Sequence, residues 1–171
     1  MIDPEVLDRA RAVIEANRAA GLTIVTAESC TGGLVAGALT EIAGASEVVD
    51  RGFVTYSNEA KLETLGVNLD IMETFGAVSV AVAWAMAQGA LKHSHADVAV
   101  AITGVAGPGG GSAQKPVGMV VFACARRDGD PATVVADTRL FGDFGRAEIR
   151  RQAVLVALEL LMPTDAGLGV G

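Results

Sequence analysis

Hydrophobic and polar residues change period repeatedly along this chain, and the changes predict its elements. Val6, Leu7, Ala10, Val13 and Ile14 recur at helical spacing behind Asp3-Pro4, an N-cap followed by proline at the first helical position. Gly21 is a fitting stop for that helix. Residues 22–27 form a short apolar run, read as a strand, and residues 32–43 return to a helical pattern that ends in the turn Gly44-Ala45-Ser46. Residues 48–56 read as the next strand, weakened by Asp50, Arg51 and Gly52. Ser57-Asn58-Glu59 opens a helix that closes at Gly66, and residues 68–75 make a second short one. Ser79 caps a long apolar helix that runs to about His93, and residues 97–102 are a buried strand. Residues 103–116 hold five glycines and two prolines, which excludes regular structure. Strands at 117–125 and 132–140 flank a hairpin-type turn at 127–131, and an amphipathic helix over 147–162 closes the pattern.

Strands alternating with helices, followed by a hairpin, predict a single three-layer α/β/α domain with a mixed, mostly parallel sheet. That domain is expected over residues 1–162, with residues 163–171 as a flexible tail. In such sheets ligands bind beyond the carboxyl ends of the strands. Three polar segments follow predicted strands directly: residues 28–33, 56–61 and 103–112. Parallel strands would bring all three to one rim.

Composition narrows this picture. At 171 residues the chain can bury one sizeable core, and with 51% apolar but only 4% aromatic residues that core must be Ala, Val, Leu and Ile. A net charge of −7 speaks against a general nucleic-acid surface, which needs a basic stripe, but not against a small anionic ligand. Cys30 and Cys124 make neither a disulfide framework nor a zinc pattern, as expected of a reduced, cytoplasmic protein. The N-terminus carries Asp3 and Glu5 and no apolar signal region, and no apolar run approaches the roughly 18 residues of a membrane span. No His, Cys, Asp or Glu cluster has metal-ligand spacing, so neither metal nor cofactor is expected.

The chemistry concentrates in Glu28-Ser29-Cys30-Thr31-Gly32-Gly33, where a strand meets a helix N-terminus. Backbone N–H groups and the helix dipole there would favour a nucleophile or a bound anion. A serine needs a base. His93 and His95 lie at the end of an alanine-rich helix and read as solvated. Lys61 is the better candidate, since burial can lower a lysine pKa until the amine accepts protons. Tyr56 could orient Lys61 or stack on a flat ring. The loop from Thr103 to Ser112 resembles an anion cradle, although it is neither a Walker A nor a dinucleotide fingerprint. Arg146, after Phe141-Gly142-Asp143-Phe144-Gly145, could grip a phosphate or carboxylate, whereas Arg150 and Arg151 read as surface charge.

Four motifs in order carry a resemblance: Thr-Ala-Glu-Ser-Cys-Thr-Gly-Gly (26–33), Gly-Phe-Val-Thr-Tyr-Ser-Asn-Glu-Ala-Lys (52–61), Gly-Ala-Val-Ser (76–79) and Thr-Gly-Val-Ala-Gly-Pro-Gly-Gly (103–110). Over roughly residues 5–162 the chain resembles the CinA C-terminal domain family, the nicotinamide-nucleotide amidases, in the stand-alone form without the N-terminal domain of longer members. The resemblance implies hydrolysis of nicotinamide mononucleotide to nicotinate mononucleotide and ammonia, in bacterial pyridine-nucleotide salvage. It implies a catalytic set of Ser46, Ser29, Lys61 and Tyr56, with a serine attacking the carboxamide and Lys61 moving its proton. It implies substrate contacts from Thr31, Gly32, Asn58, Thr103, Gly104, Ala106, Gly107, Gly109 and Arg146. Ser46 matches a family position associated with catalysis, while strand-to-helix geometry favours Ser29. The one departure is Asp143-Phe144-Gly145-Arg146, where the family pattern more often reads Gly-Asp-Arg.

The alternative is a nucleotide-binding module without turnover, linked to competence or DNA damage; Ser29, Ser46 and Lys61 together argue for an enzyme. The partner expected is a small nucleotide, with no nucleic acid and no membrane. The apolar helix over 79–91 suggests a homodimer face.

Overall fold

The protein is represented by a computed structural model that describes residues 2–164. The expected tail at 163–171 therefore lies mostly outside the described residues. In chain order the elements are α1 (Pro4–Ala20), β1 (Ile24–Glu28), α2 (Leu34–Thr40), β2 (Val49–Val54), α3 (Asn58–Leu65), α4 (Leu69–Phe75), α5 (Val80–Lys92), β3 (Val98–Gly104), β4 (Met119–Arg126), β5 (Val135–Leu140) and α6 (Arg146–Leu160). The helix starts follow the sequence signals. Asp3, Ser57, Asn68 and Ser79 each accept a backbone N–H in the first turn of the helix they precede.

The sheet order is β2-β1-β3-β4-β5. β1 pairs in parallel with β2 and β3, and β4 runs antiparallel to both β3 and β5. The sheet is mixed, and every strand but β4 points the same way. Along β3 the side chains alternate between two cores. Val98, Val100 and Ile102 face the layer of α1, α2 and α6, while Ala99 and Ala101 face the layer of α3, α4 and α5. This is the expected three-layer α/β/α architecture.

Boundaries differ where short-range chemistry overrides periodicity. The second helix is only Leu34–Thr40, and a 3-10 turn at Ala45–Glu47 replaces the plain turn. The Arg127–Pro131 segment is not a tight hairpin. Asp130 caps a 3-10 turn at Pro131–Thr133, so β5 starts at Val135. The apolar surplus of α5 goes into the core: Val82, Ala83, Met86, Ala87 and Ala90 are fully buried in the cluster that lines the sheet. Val80 and Trp84 on the same helix remain exposed.

Packing and site meet at Gly89. This α5 residue lies against the last turn of α3, and a Cβ there would overlap the Leu65 carbonyl oxygen. Glycine lets α5 approach closely enough to hold α3, the helix that carries Lys61. Gly89→Ala is expected to destabilise the domain by about 1–3 kcal/mol through overpacking, read as a lower urea midpoint. An unchanged midpoint would show that α3 can shift without cost.

Candidate active site

The connection from β1 to β2 runs over one face of the sheet and that from β2 to β3 over the other, so a crevice opens beyond the carboxyl end of β1. β1 is buried along its whole length and is hydrogen-bonded on both sides to its last residue. The Thr55 N–H donates to Glu28 O at 2.9 Å, and the Ser29 N–H donates to Ile102 O at 2.9 Å. Ser29 thus sits where β1 ends, between β2 and β3. The chain then turns through Gly32 and Gly33, whose φ values of 59° and 96° suit glycine. The Gly32 N–H closes this turn on Ser29 O at 3.0 Å.

Glu28 corrects one expectation. Its fully buried carboxylate accepts the Val35 N–H at 2.9 Å and the Ala36 N–H at 3.0 Å. The first turn of α2 therefore already holds a protein anion and has no place for a ligand's. Arg150 corrects another. It is half-buried rather than surface charge: its Nε donates to Cys30 O and its Nη2 to Thr31 O, both at 3.1 Å. Arg151 does lie in a partly exposed cluster with Asp3, Glu5 and Glu148.

Lys61 is the largest fully buried side chain of the domain, 1% exposed. Its Nζ donates to Thr55 O at 3.0 Å and to Tyr56 O at 3.4 Å, and it lies within hydrogen-bond distance of Ser29 Oγ, at 3.0 Å. Among the described residues no carboxylate lies within ion-pair distance of it. Burial therefore lowers its pKa from 10.5. The neighbouring thiol moves the other way: burial pushes Cys30 up to about 11, which leaves it a protonated core residue. Cys124 is likewise buried and pushed to about 11.

A cavity of about 300 Å³ opens over this pair. Ser29, Cys30 and Lys61 form its floor end, Tyr56 and Asn58 one wall, and Thr103, Gly104, Ala106, Gly107 and Gly109 another. Arg146 bridges the walls, with Nη1 donating to Gly107 O and Nη2 to the Tyr56 hydroxyl, each at 2.8 Å. Thr103 holds its place by donating from Oγ1 to Ala77 O at 2.8 Å, and Ala77, Val78, Val105 and Gly110 also line the cavity. The three segments singled out by position after a strand do converge on one rim.

Thr31 and Gly32 do not line the cavity; they lie behind Ser29, in the turn that Arg150 grips. Ser46 is not brought to the site at all. It is exposed on the 3-10 turn that precedes β2, whereas Tyr56 follows β2, so the six-residue strand separates them by roughly 20 Å. His93 is exposed at the C-terminus of α5, with Nδ1 2.8 Å from Gly89 O, and His95 is exposed beside it. Among the described residues no three His, Cys, Asp or Glu side chains are placed to share a metal ion, and no helix is long and apolar enough to cross a membrane.

Comparison with known proteins finds relatives along nearly the whole chain. The profile of the family described as CinA C-terminal domain matches residues 7–164. The nicotinamide-nucleotide amidohydrolase PncC of Escherichia coli (strain K12) is 49% identical over 161 residues, covering 94% of this chain and 95% of that protein. A CinA-like protein of Mycolicibacterium vanbaalenii is 53% identical over 150 residues, which span 88% of this chain but 35% of that longer protein. Among solved structures, the competence/damage inducible protein CihA from Agrobacterium tumefaciens superposes with a TM-score of 0.90 at 54% identity, over 94% of this chain and 96% of the other.

The lowered Lys61 pKa has a sign that can be measured. Between the depressed folded value and 10.5 the unfolded chain binds a proton that the folded chain does not, so folding becomes more favourable as pH rises through that window. The unfolding free energy of wild type relative to Lys61→Met is expected to rise with pH up to that limit. A difference that stays flat with pH would mean that Lys61 titrates alike in both states.

Proposed function

This chain belongs to the CinA C-terminal domain family, and on that premise we propose that it is an amidohydrolase converting nicotinamide mononucleotide and water to nicotinate mononucleotide and ammonia. The observation that carries the reading is the buried Lys61 Nζ, 3.0 Å from Ser29 Oγ. Thr55 O and Tyr56 O can only accept, so they take the two N–H groups of a neutral amine. The remaining position, the lone pair, then faces the Ser29 hydroxyl.

In this reading Ser29 Oγ attacks the carboxamide carbon while its proton passes to Lys61 Nζ. The tetrahedral intermediate collapses, and Lys61 returns the proton to the departing nitrogen, which leaves as ammonia. Water then attacks the Ser29 ester, again giving its proton to Lys61, and the nicotinate nucleotide is released with the serine restored. No histidine or metal is needed for this proton traffic. Ser46 takes no part, because it lies at the other end of β2. Tyr56, held by Arg146, borders the nicotinamide ring, and the glycine-rich wall with Arg146 receives ribose and phosphate. A salvage role in the cytoplasm follows from the substrate.

Ammonia release tests the assignment directly. Ser29→Ala and Lys61→Ala are expected to lose on the order of a thousandfold or more in kcat, and Ser46→Ala to stay near wild type. Loss of activity in Ser46→Ala with Ser29→Ala intact would reverse the choice of nucleophile. Saturable nucleotide binding with no ammonia from wild type would leave a binding module instead.

Protonation gives a second check. Only the neutral amine accepts the serine proton, so kcat/KM is expected to fall as pH drops through the Lys61 pKa, which lies below 10.5. The residual activity of Lys61→Ala should lack that limb; a limb that survives the substitution belongs to another group.

A further inference from the structure

Among the described residues β5 closes one side of the sheet and has a strand neighbour on its β4 side only. Five of its six residues are exposed, Leu140 at 70% and Val135 at 52% among them. Such an edge is a row of unused backbone donors and acceptors, which natural sheets cover, guard with charge or pair. A single sign of charge would guard this one. Asp137 and Arg139 carry opposite signs two residues apart, joined Nε to Oδ2 at 2.7 Å and partly exposed.

The register shows which backbone groups are open. The Val105 N–H donates to Met119 O and the Arg127 N–H to Asp97 O, so the odd-numbered residues of β4 face β3 and its even-numbered residues face β5. The Phe141 N–H accordingly donates to Gly118 O. Across that pairing Val120, Phe122 and Cys124 oppose Arg139, Asp137 and Val135. The N–H and C=O groups of Ala136, Thr138 and Leu140 therefore point away from the sheet. Side chains divide with the same period. Asp137 and Arg139 share the α6 face with Phe122 and Val120, and Thr138 shares the α5 face with Val121.

We propose that β5 pairs antiparallel with β5 of a second copy of this chain, about a twofold axis at Thr138, so that two five-stranded sheets become one. Only outward-facing residues can share the new hydrogen bonds, which limits the pairing to Ala136, Thr138 and Leu140. Charge then selects the register. With the axis at Thr138, Ala136 meets the partner's Leu140, and Asp137 meets the partner's Arg139 at two symmetric places. Moving the axis by one residue sets Asp137 against the partner's Asp137, or Arg139 against the partner's Arg139, and like charges directly opposite repel. The Asp-Thr-Arg pattern is thus self-complementary under a twofold, the symmetry of an isologous dimer. Trp84 donates from Nε1 to Pro131 O at 3.2 Å, just before β5, and the exposed Val80 lies one turn earlier on the same side of α5. This apolar stripe extends the surface beyond the strand itself.

Sedimentation equilibrium of the full chain tests the proposal, on wild type, Asp137→Arg, Arg139→Asp and the double swap. Wild type is expected at twice the 17.4 kDa chain mass. Each single swap opposes like charges at both symmetric places, and its dissociation constant is expected to rise about tenfold or more. The double swap restores opposite charges and is expected within about threefold of wild type. A second measurement decides if a swapped chain fails to fold. Thr138 lies on the axis, where a hydrogen-bonded pair sets the two Cα atoms about 5.5 Å apart, within the span of a disulfide. Diamide is expected to cross-link Thr138→Cys into a covalent dimer and to leave wild type single, since Cys30 and Cys124 are buried. The proposal is overturned by wild type that stays a monomer up to about 0.1 mM, by a dimer that neither single swap weakens, by a folded double swap that does not recover, or by Thr138→Cys that diamide leaves uncross-linked. Ammonia release is read separately: its absence would remove the proposed substrate and leave this interface standing.

Discussion

The structure depends on burying one amine without a counter-charge. Lys61 needs a tightly packed α3, two carbonyls from the end of β2 and a serine hydroxyl from the end of β1, all within hydrogen-bond reach. Burying a charge in this setting costs more than burying a neutral amine, so packing pushes the Lys61 pKa down, the direction that the proposed chemistry needs. The close approach of α5 at Gly89 and the all-buried β1 are the structural conditions for that choice. A carboxylate beside Lys61 would favour the charged amine and work against the proposed base.

α6 has a second organising role. It contacts the site without supplying the reacting pair, through arginines one turn apart. Arg146 joins the glycine-rich wall to Tyr56, and Arg150 holds the turn after Ser29. The last helix of the chain thus ties together the three strand-end segments after they have been placed by the sheet. Glu28 does related work from the other side, since its carboxylate fixes the start of α2 and with it the exit of the Ser29 turn.

Much of this was legible in the sequence, for physical reasons. Caps such as Asp3, Ser57 and Ser79 act within one turn, so they announce helices locally. Polar residues directly after apolar runs marked the rim, because parallel strands share an end. Arg150 and Glu28 were not legible, since their partners lie on other elements: Cys30 is 120 residues from Arg150. The adjacency of Gly32 and Gly33 was a usable signal that something presses on the turn. Ser46 already reads as the turn before the 48–56 strand, opposite the rim that Tyr56 joins, and only the motif match drew it toward the site. The short helix at Leu34–Thr40 and the 3-10 turn at Pro131–Thr133 show turn chemistry overruling an apolar period.

The hydrogen bonds from Ser29 N–H to Ile102 O and from Thr55 N–H to Glu28 O tie the proposed nucleophile to the paired end of β1. The glycine-rich wall is held by Arg146 at Gly107 O, by Thr103 at its base and by the backbone bonds of Val105 with Met119 and Gly118, beyond which residues 109–111 are exposed. On the proposed mechanism, warming or mild denaturant would loosen this exposed stretch of the wall before it parts Ser29 from Lys61. Inactivation should proceed in two stages, first a reversible loss of affinity in an intact domain and only then the global event that destroys the reactive pair. A purified sample that has lost turnover can in that case still carry a nucleophile ready to be labelled.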